Sequence, residues 1–261
     1  MTIAPQPPDG FKALVLDIEC IPNLGWHWGL FDQSIPMSMV EERARVVCFA
    51  AKWLGQPKKT VQFYSEWGDE GRLGMLGHAA RLLSEADAVI GYNSKPFDIK
   101  WLYGEIAVEG FGRPTPHHDI DLLRTIKAKF RFPSNKLDNV SQYFDLGAKT
   151  QHGGWTLWKG GIDRDPAALK LMEKYNRQDI LLTEKLHDRI LPWIDAYPNV
   201  ALYDTGQSDG CPKCGAVERH RRGHQTTATA SFQRYQCTGC GSYYRGARKD
   251  DAMPASSYRR L

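Results

Sequence analysis

Nowhere in these 261 residues does an uninterrupted apolar run approach the roughly 20 residues that a bilayer span requires, so no membrane-spanning helix is expected. Met1–Gly10 lacks a basic stretch followed by an apolar one and does not resemble a secretory signal. Cysteine is scarce before the last quarter of the chain. Only Cys20 and Cys48 occur there, both in apolar strand-like runs, and both read as inert core residues. This usage suits a reducing compartment, and a cytoplasmic protein is the expectation. Acidic residues are nearly missing from Cys211 to Lys249, where eight Lys or Arg face only Glu218, an excess of +7. The whole chain carries +4 and its tail after Lys249 is neutral, which leaves −3 on residues 1–210. Two parts of opposite charge suggest two jobs. With 42% hydrophobic and 25% charged residues the chain is not of disordered composition, and its length allows one large α/β domain or a medium domain with a small appendage.

The segment Leu14–Cys20, Leu-Val-Leu-Asp-Ile-Glu-Cys, places two acids inside an otherwise apolar run. Side chains of a strand alternate between faces, so Asp17 and Glu19 share one face while Leu16, Ile18 and Cys20 share the other. Two ionised carboxylates held together on a half-buried strand repel each other and lose hydration, and a hard divalent cation between them is the simplest remedy. A wet edge strand is the alternative.

Further along, strands are expected at about Arg45–Leu54 and Thr60–Tyr64, divided by the turn signal Gly55-Gln56-Pro57, so that three successive strands form an antiparallel meander. A helix over Asp69–Ala86 and a short strand over Ala88–Tyr92 follow, and the pattern becomes strand, helix, strand. Trp26, Trp28 and Phe31, in the connection from Ile21 to Ser38, read as packing residues. Pro96 is expected in the first turn of a helix that ends near Gly110, with Asp98 in the same turn, as a helix-start acid or as a ligand. His117 and His118 read as surface or polar-network residues, and Asp121 as the cap of a helix from Leu122. A helix near Asn135–Phe144 precedes a Gly- and Trp-rich loop, Gly147–Gly161, whose tryptophans either stack on a nucleobase or close over a core. Pro166 opens a long helix to about Ile190, on which Tyr175 and Asp179 share a face.

Asp17, Glu19, Asp98 and Asp179 thus offer four carboxylates from three elements, the donor set that two-metal phosphoryl chemistry needs, with Tyr175 one turn before Asp179 to orient or help deprotonate a water. In this arrangement the chain resembles the DEDD exonucleases of the ribonuclease H-like superfamily, in their tyrosine-bearing branch. Asp-x-Glu is matched by Asp17 and Glu19, Asn-x-x-x-(Phe/Tyr)-Asp by Asn93, Phe97 and Asp98, and Tyr-x-x-x-Asp by Tyr175 and Asp179. The resemblance covers residues 11–195 and is nearest to exonucleases that look like the proofreading domain of family B DNA polymerases. It implies an α/β fold, a ribonuclease H-like mixed sheet flanked by helices, and 3′ to 5′ removal of nucleotides with two Mg²⁺ or Mn²⁺ ions. It also implies that Asp17 bridges the metals, that Glu19 and Asp179 complete the first site, that Asp98 supports the second, and that Asn93 and Phe97 hold the loop and the terminal nucleotide.

Cys211-Pro-Lys-Cys214-Gly and Cys237-Thr-Gly-Cys240-Gly form two knuckles at the spacing of a closed tetrahedral site, so residues 206–249 resemble a small C-terminal zinc ribbon with one structural Zn²⁺. Its basic excess, interleaved with aromatics, suits phosphate contact and base stacking, with Arg221, Arg222 and Tyr235 as candidate contacts. A solvated basic surface or a protein-docking module is the other reading. Residues 250–261 are expected to be a disordered tail. The expected partner is nucleic acid, DNA before RNA, with single-stranded or frayed 3′ ends favoured and a replication or repair polymerase as a further candidate. An RNA-directed or internally cutting nuclease and a non-catalytic nucleic-acid-binding protein are the alternatives.

Overall fold

The apolar run that holds the two acids is strand β1 (Ala13–Ile21), and its near-continuous hydrophobicity follows from burial on both faces. The structure, a computed structural model, describes residues 10–148, 154–203 and 209–247; the tail expected at 250–261 lies outside them. In chain order come β2 (Leu24–Gly25), β3 (Val40–Glu42), β4 (Arg45–Trp53), β5 (Gln62–Ser65), α1 (Gly71–Glu85), β6 (Ala88–Gly91), α2 (Asp98–Val108), β7 (His118–Asp121), α3 (Leu122–Lys129), α4 (Leu137–Tyr143), α5 (Trp155–Ile162) and α6 (Pro166–Ile190). A three-stranded unit then follows, made of β8 (Arg219–Thr226), β9 (Ser231–Cys237) and β10 (Tyr243–Arg245). The main sheet has the order β5-β4-β1-β6-β7. β1, β4 and β5 pair antiparallel as a meander, while β1, β6 and β7 pair parallel through helical connections. It is a mixed five-stranded sheet flanked by helices.

Period-two alternation sends the two sides of β1 to different cores. Leu14, Leu16 and Ile18 join Phe49 and pack under α1 and α2, against Met75, Leu76, Leu82, Leu83 and Leu102. Ala13 and Val15 look the other way, into the core that contains Ile180, Leu182 and Leu186 of α6. α6 starts where the sequence places it, because Pro166 needs no amide partner in the first turn and the Asp165 carboxylate accepts from the amides of Ala167 and Ala168. It stops before Pro192, which cannot continue a helix. The fully buried Lys52 of β4 ties this helix to the sheet through Glu184, Nζ to Oε1 at 2.5 Å. None of the helices among the described residues is long and apolar enough to cross a membrane.

Four local expectations change. Trp26, Trp28 and Phe31 do not pack among the described residues: they are 72%, 94% and 83% exposed, in a connection tied down by the short β2–β3 ribbon and by the Asn23 side chain on the Ala44 amide. The described end of Gly147–Gly161 is not loop but α5. Leu157 buries beside Ala168 and Met172, and Gly160, which reads as a loop signal, serves close helix packing: a Cβ there would stand 2.5 Å from Cβ of Ala168. Residues 149–153 of that loop lie outside the described residues. Pro96 precedes α2 instead of entering it, and Asp98 is the first helical residue. Of the two early cysteines, Cys48 is fully buried, whereas Cys20 is half-buried at the edge of a surface depression.

Candidate active site and cysteine cluster

β6 pairs with β1 only as far as Val15 opposite Ile90. Beyond that point β1 continues on β4, with Asp17 opposite Ala50 and Glu19 opposite Cys48, and its other edge would lose its partner. Asp98 takes that place: its Oδ1 accepts the Ile18 amide at 3.1 Å, so an acid from the start of α2 stands at the backbone between Asp17 and Glu19. From the opposite side α6 reaches the same strand through Asn176, whose Nδ2 donates to Oδ2 of Asp17 at 2.7 Å and to the Asp17 carbonyl at 3.2 Å. Tyr175 and Asp179 flank Asn176 on the buried stripe of that helix. Asn176 escaped the sequence reading, although its position on the stripe of Met172, Asp179 and Thr183 is a signal, since a polar side chain on a core face needs a partner.

The site is closely held. Glu19, Asp98 and Asp179 are all buried. Burial pushes the Asp98 carboxyl up to about 7; the Ile18 amide opposes this and the Asp121 carboxylate adds to it. The Cys20 thiol is pushed up to about 12, first by burial and then by the charges of Asp98, Glu19 and Asp17, and the same burial with Glu19 and Asp17 raises Cys48 well above the usual thiol range. Three carboxylates therefore act on one neighbourhood. An all-oxygen, anionic donor set matches hard divalent cations in kind, whereas among the described residues the one group already drawn together within ion-binding distance is the four late cysteines.

Around the acids, Tyr175 meets the Trp158 ring edge-on at 6.5 Å, and Trp158 Nε1 donates to the Cys20 carbonyl at 3.0 Å. Phe97, 42% exposed, lies edge-on to Trp101 at 6.3 Å. Asn93 adopts φ +66°, a conformation that asparagine tolerates, and its amide donates to Oδ1 of Asp121 at 2.9 Å; its side chain is exposed. The same Oδ1 caps α3 through the Leu123 amide. His117 faces Asp119 at 3.6 Å and His118 is exposed.

The four late cysteines converge. Their sulfurs lie within 4.8 Å of one another, with Cys211 to Cys240 at 3.7 Å and Cys214 to Cys237 at 3.5 Å, and all are free thiols. A tetrahedron with zinc–sulfur bonds of about 2.3 Å has edges of about 3.8 Å, so the donors fit zinc. Both knuckles are built alike. Gly215 donates to the Cys211 carbonyl and Cys211 to that of Ala216, while Gly241 donates to the Cys237 carbonyl and Cys237 to that of Ser242. Gly215 and Gly241, at φ +75° and +77°, supply the left-handed turn that each closure requires.

This unit rests on the end of α6. Cys211, Cys214 and Cys237 belong to the same core as Ile190, Leu191 and Ile194, and Lys213 Nζ donates to the carbonyls of Leu191 and Pro192 at 3.1 and 3.0 Å. Arg221 and Arg222 are exposed on β8, in the three-stranded sheet and not among the elements that carry the acids. Tyr235 is half-buried, with the Arg219 guanidinium 5.1 Å from its ring centroid.

A mixed sheet of this order, flanked by helices and with acids gathered at its central strand, defines a ribonuclease H-like fold. A protein-family model described as RNase_H_2, RNase H superfamily, matches residues 40–191, more than half of the chain. The chain belongs to the RNase H superfamily. The match includes Asn93, Phe97, Asp98, Tyr175 and Asp179 and begins after β1. Among solved structures, the chain is similar to the family B DNA polymerase from the hyperthermophilic archaeon Pyrobaculum calidifontis, with a TM-score of 0.51 and 19% identity. The similarity covers 84% of this chain but 32% of that one, so the chain spans about a third of the polymerase's length. No curated protein matches the chain in sequence.

Proposed function

We propose that the chain is a metal-dependent 3′ to 5′ exonuclease of the tyrosine-bearing DEDD type, which hydrolyses phosphodiester bonds of nucleic acid, DNA before RNA, through residues 11–195. One observation supports this reading: Asp98 of α2 meets the backbone of β1 at the Ile18 amide, between Asp17 and Glu19, and α6, the helix that carries Asp179, meets Asp17 through Asn176. Superfamily membership supports nuclease activity. Asp17, Glu19, Asp98 and Asp179 would hold two Mg²⁺ or Mn²⁺ ions, whose chemistry is activation of a water and stabilisation of the leaving oxygen. Asn176 orients Asp17 and keeps one of its oxygens turned toward α6. Tyr175, fixed by the Trp158 edge, sets a hydroxyl one turn from Asp179, where it orients the attacking water.

Purified protein incubated with end-labelled single-stranded DNA, duplex DNA and RNA, in Mg²⁺ or in EDTA, tests the proposal. Stepwise shortening from the 3′ end in Mg²⁺ alone supports it; internal cuts, or no cuts, overturn it. Tyr175→Phe keeps the ring contacts and loses only the hydroxyl, so single-turnover hydrolysis should slow by roughly 10- to 100-fold without stopping.

The four cysteines hold one structural zinc, and the ribbon of residues 206–249 presents a basic hairpin to nucleic acid. Arg221→Glu with Arg222→Glu should weaken oligonucleotide binding roughly tenfold and reduce its salt dependence, as expected for lost phosphate contacts. Equal affinity across salt concentrations would assign the hairpin another role.

A further inference from the structure

We propose that a second copy of this chain docks on the aromatic segment between β2 and β3, so that two chains form a two-fold dimer with these segments face to face. The inference stands apart from the nuclease reading, because the segment carries none of the four acids. Trp26, Trp28, Leu30 and Phe31 are each at least 72% exposed, and Ile35 and Met37 are exposed beside them. Their backbone is not a loose loop. The Trp26 amide donates to the Met39 carbonyl at 2.9 Å, Gln33 Nε2 donates to the Phe31 carbonyl at 2.8 Å, and His27 Nδ1 lies 2.5 Å from the Gly29 carbonyl. The segment thus satisfies polar groups of its own backbone while its rings face water, and a backbone already held loses little freedom on docking.

Area and charge together choose the occupant. An aromatic side chain buries roughly 150 to 250 Å². Three of them with Leu30, Ile35 and Met37 reach roughly the 800 Å² per partner of a standard interface. Two paired strands are marginal in water without further packing, and a second copy supplies it. From Ile21 to Met39 the only formal charge is Asp32, and Glu41, Glu42 and Arg43 follow, which leaves a net −2. Nucleic acid or an anionic lipid surface requires Lys or Arg beside the rings and meets the opposite sign here. A foreign protein is chosen largely by complementary charge, which the stretch around the rings does not offer. A second copy needs none, since a two-fold contact sets one apolar patch against the same patch.

Sedimentation velocity of the full chain from about 1 to 100 µM tests the proposal. The wild-type protein should pass from monomer to dimer as concentration rises. Trp28→Ser with Phe31→Ser should raise the dimer dissociation constant about a hundredfold or more. Its melting curve should stay unchanged, because both side chains are exposed. Leu30→Glu, which sets a charge on the same patch of each copy, should also give a monomer and keeps the test valid should the double variant unfold. A wild-type protein that stays monomeric, that grows past the dimer, or that dimerises no better than the variants overturns the proposal. Binding of the monomeric wild-type protein to phosphatidylcholine vesicles, lost in the double variant, would pass the segment to a lipid surface instead. None of these outcomes touches the nuclease reading.

Discussion

Asp17→Ala is expected to reduce divalent-cation-dependent nucleotide release by roughly four orders of magnitude, to background in an end-labelled assay. The expectation rests on where the residue stands. Asp17 lies on the strand between the β4 partner and α6, is the acid that Asn176 grips, and shares its neighbourhood with Glu19 and Asp98. Losing it removes a donor that the other acids cannot replace, because Asp98 is anchored to the Ile18 amide. The fold should survive, since the substitution relieves repulsion among crowded carboxylates and leaves the apolar faces of β1 untouched. Unchanged circular dichroism with activity gone is therefore the predicted pair of results. Full activity in Asp17→Ala would sink the assignment.

If the four cysteines hold zinc as proposed, loss of that ion should be felt well beyond the knuckles. Structural zinc contributes on the order of 10 kcal/mol to the folding of small knuckle modules, as much as the whole stability of a typical domain. Here the module does not stand apart: three of its cysteines sit in the core that closes over Ile190, Leu191 and Ile194, and Lys213 binds the carbonyls at the end of α6. Chelation, or Cys214→Ser, should release one zinc per chain and lower the melting temperature by roughly 10 °C or more. The end of α6 should lose amide-exchange protection along with the ribbon. Purified protein without zinc, or a melting curve indifferent to its removal, would show that the cysteines hold the fold by other means.

Much of this architecture follows from local chemistry that a sequence displays directly. Residues 13–21 alternate between two faces because a strand has period two, and that alone sets Asp17 and Glu19 apart from Leu16 and Ile18. The ends of α6 follow from Asp165 and Pro166 at one side and Pro192 at the other. Two knuckles at equal spacing bring four sulfurs together because each needs only a turn with glycine at positive φ.

Interactions between distant segments are another matter, since no local pattern records them. The glycines of α5 read as loop until Ala168 is seen to need the space beside Gly160, and Trp28 reads as core until its ring is found 94% exposed. The grip of Asn176 on Asp17 spans 159 residues and that of Asp98 on Ile18 spans 80, so both depend on how α6 and α2 meet the sheet. By itself the sequence determined which residues are acids, thiols and rings and on which face of its own element each lies, because those properties are set within a few residues of backbone. Only the tertiary structure decided that three acid-bearing elements meet at the half of β1 that β6 leaves unpaired, and that the cysteine unit seats on the end of α6. Burial and hydrogen bonding between far-apart segments are settled only when the chain packs.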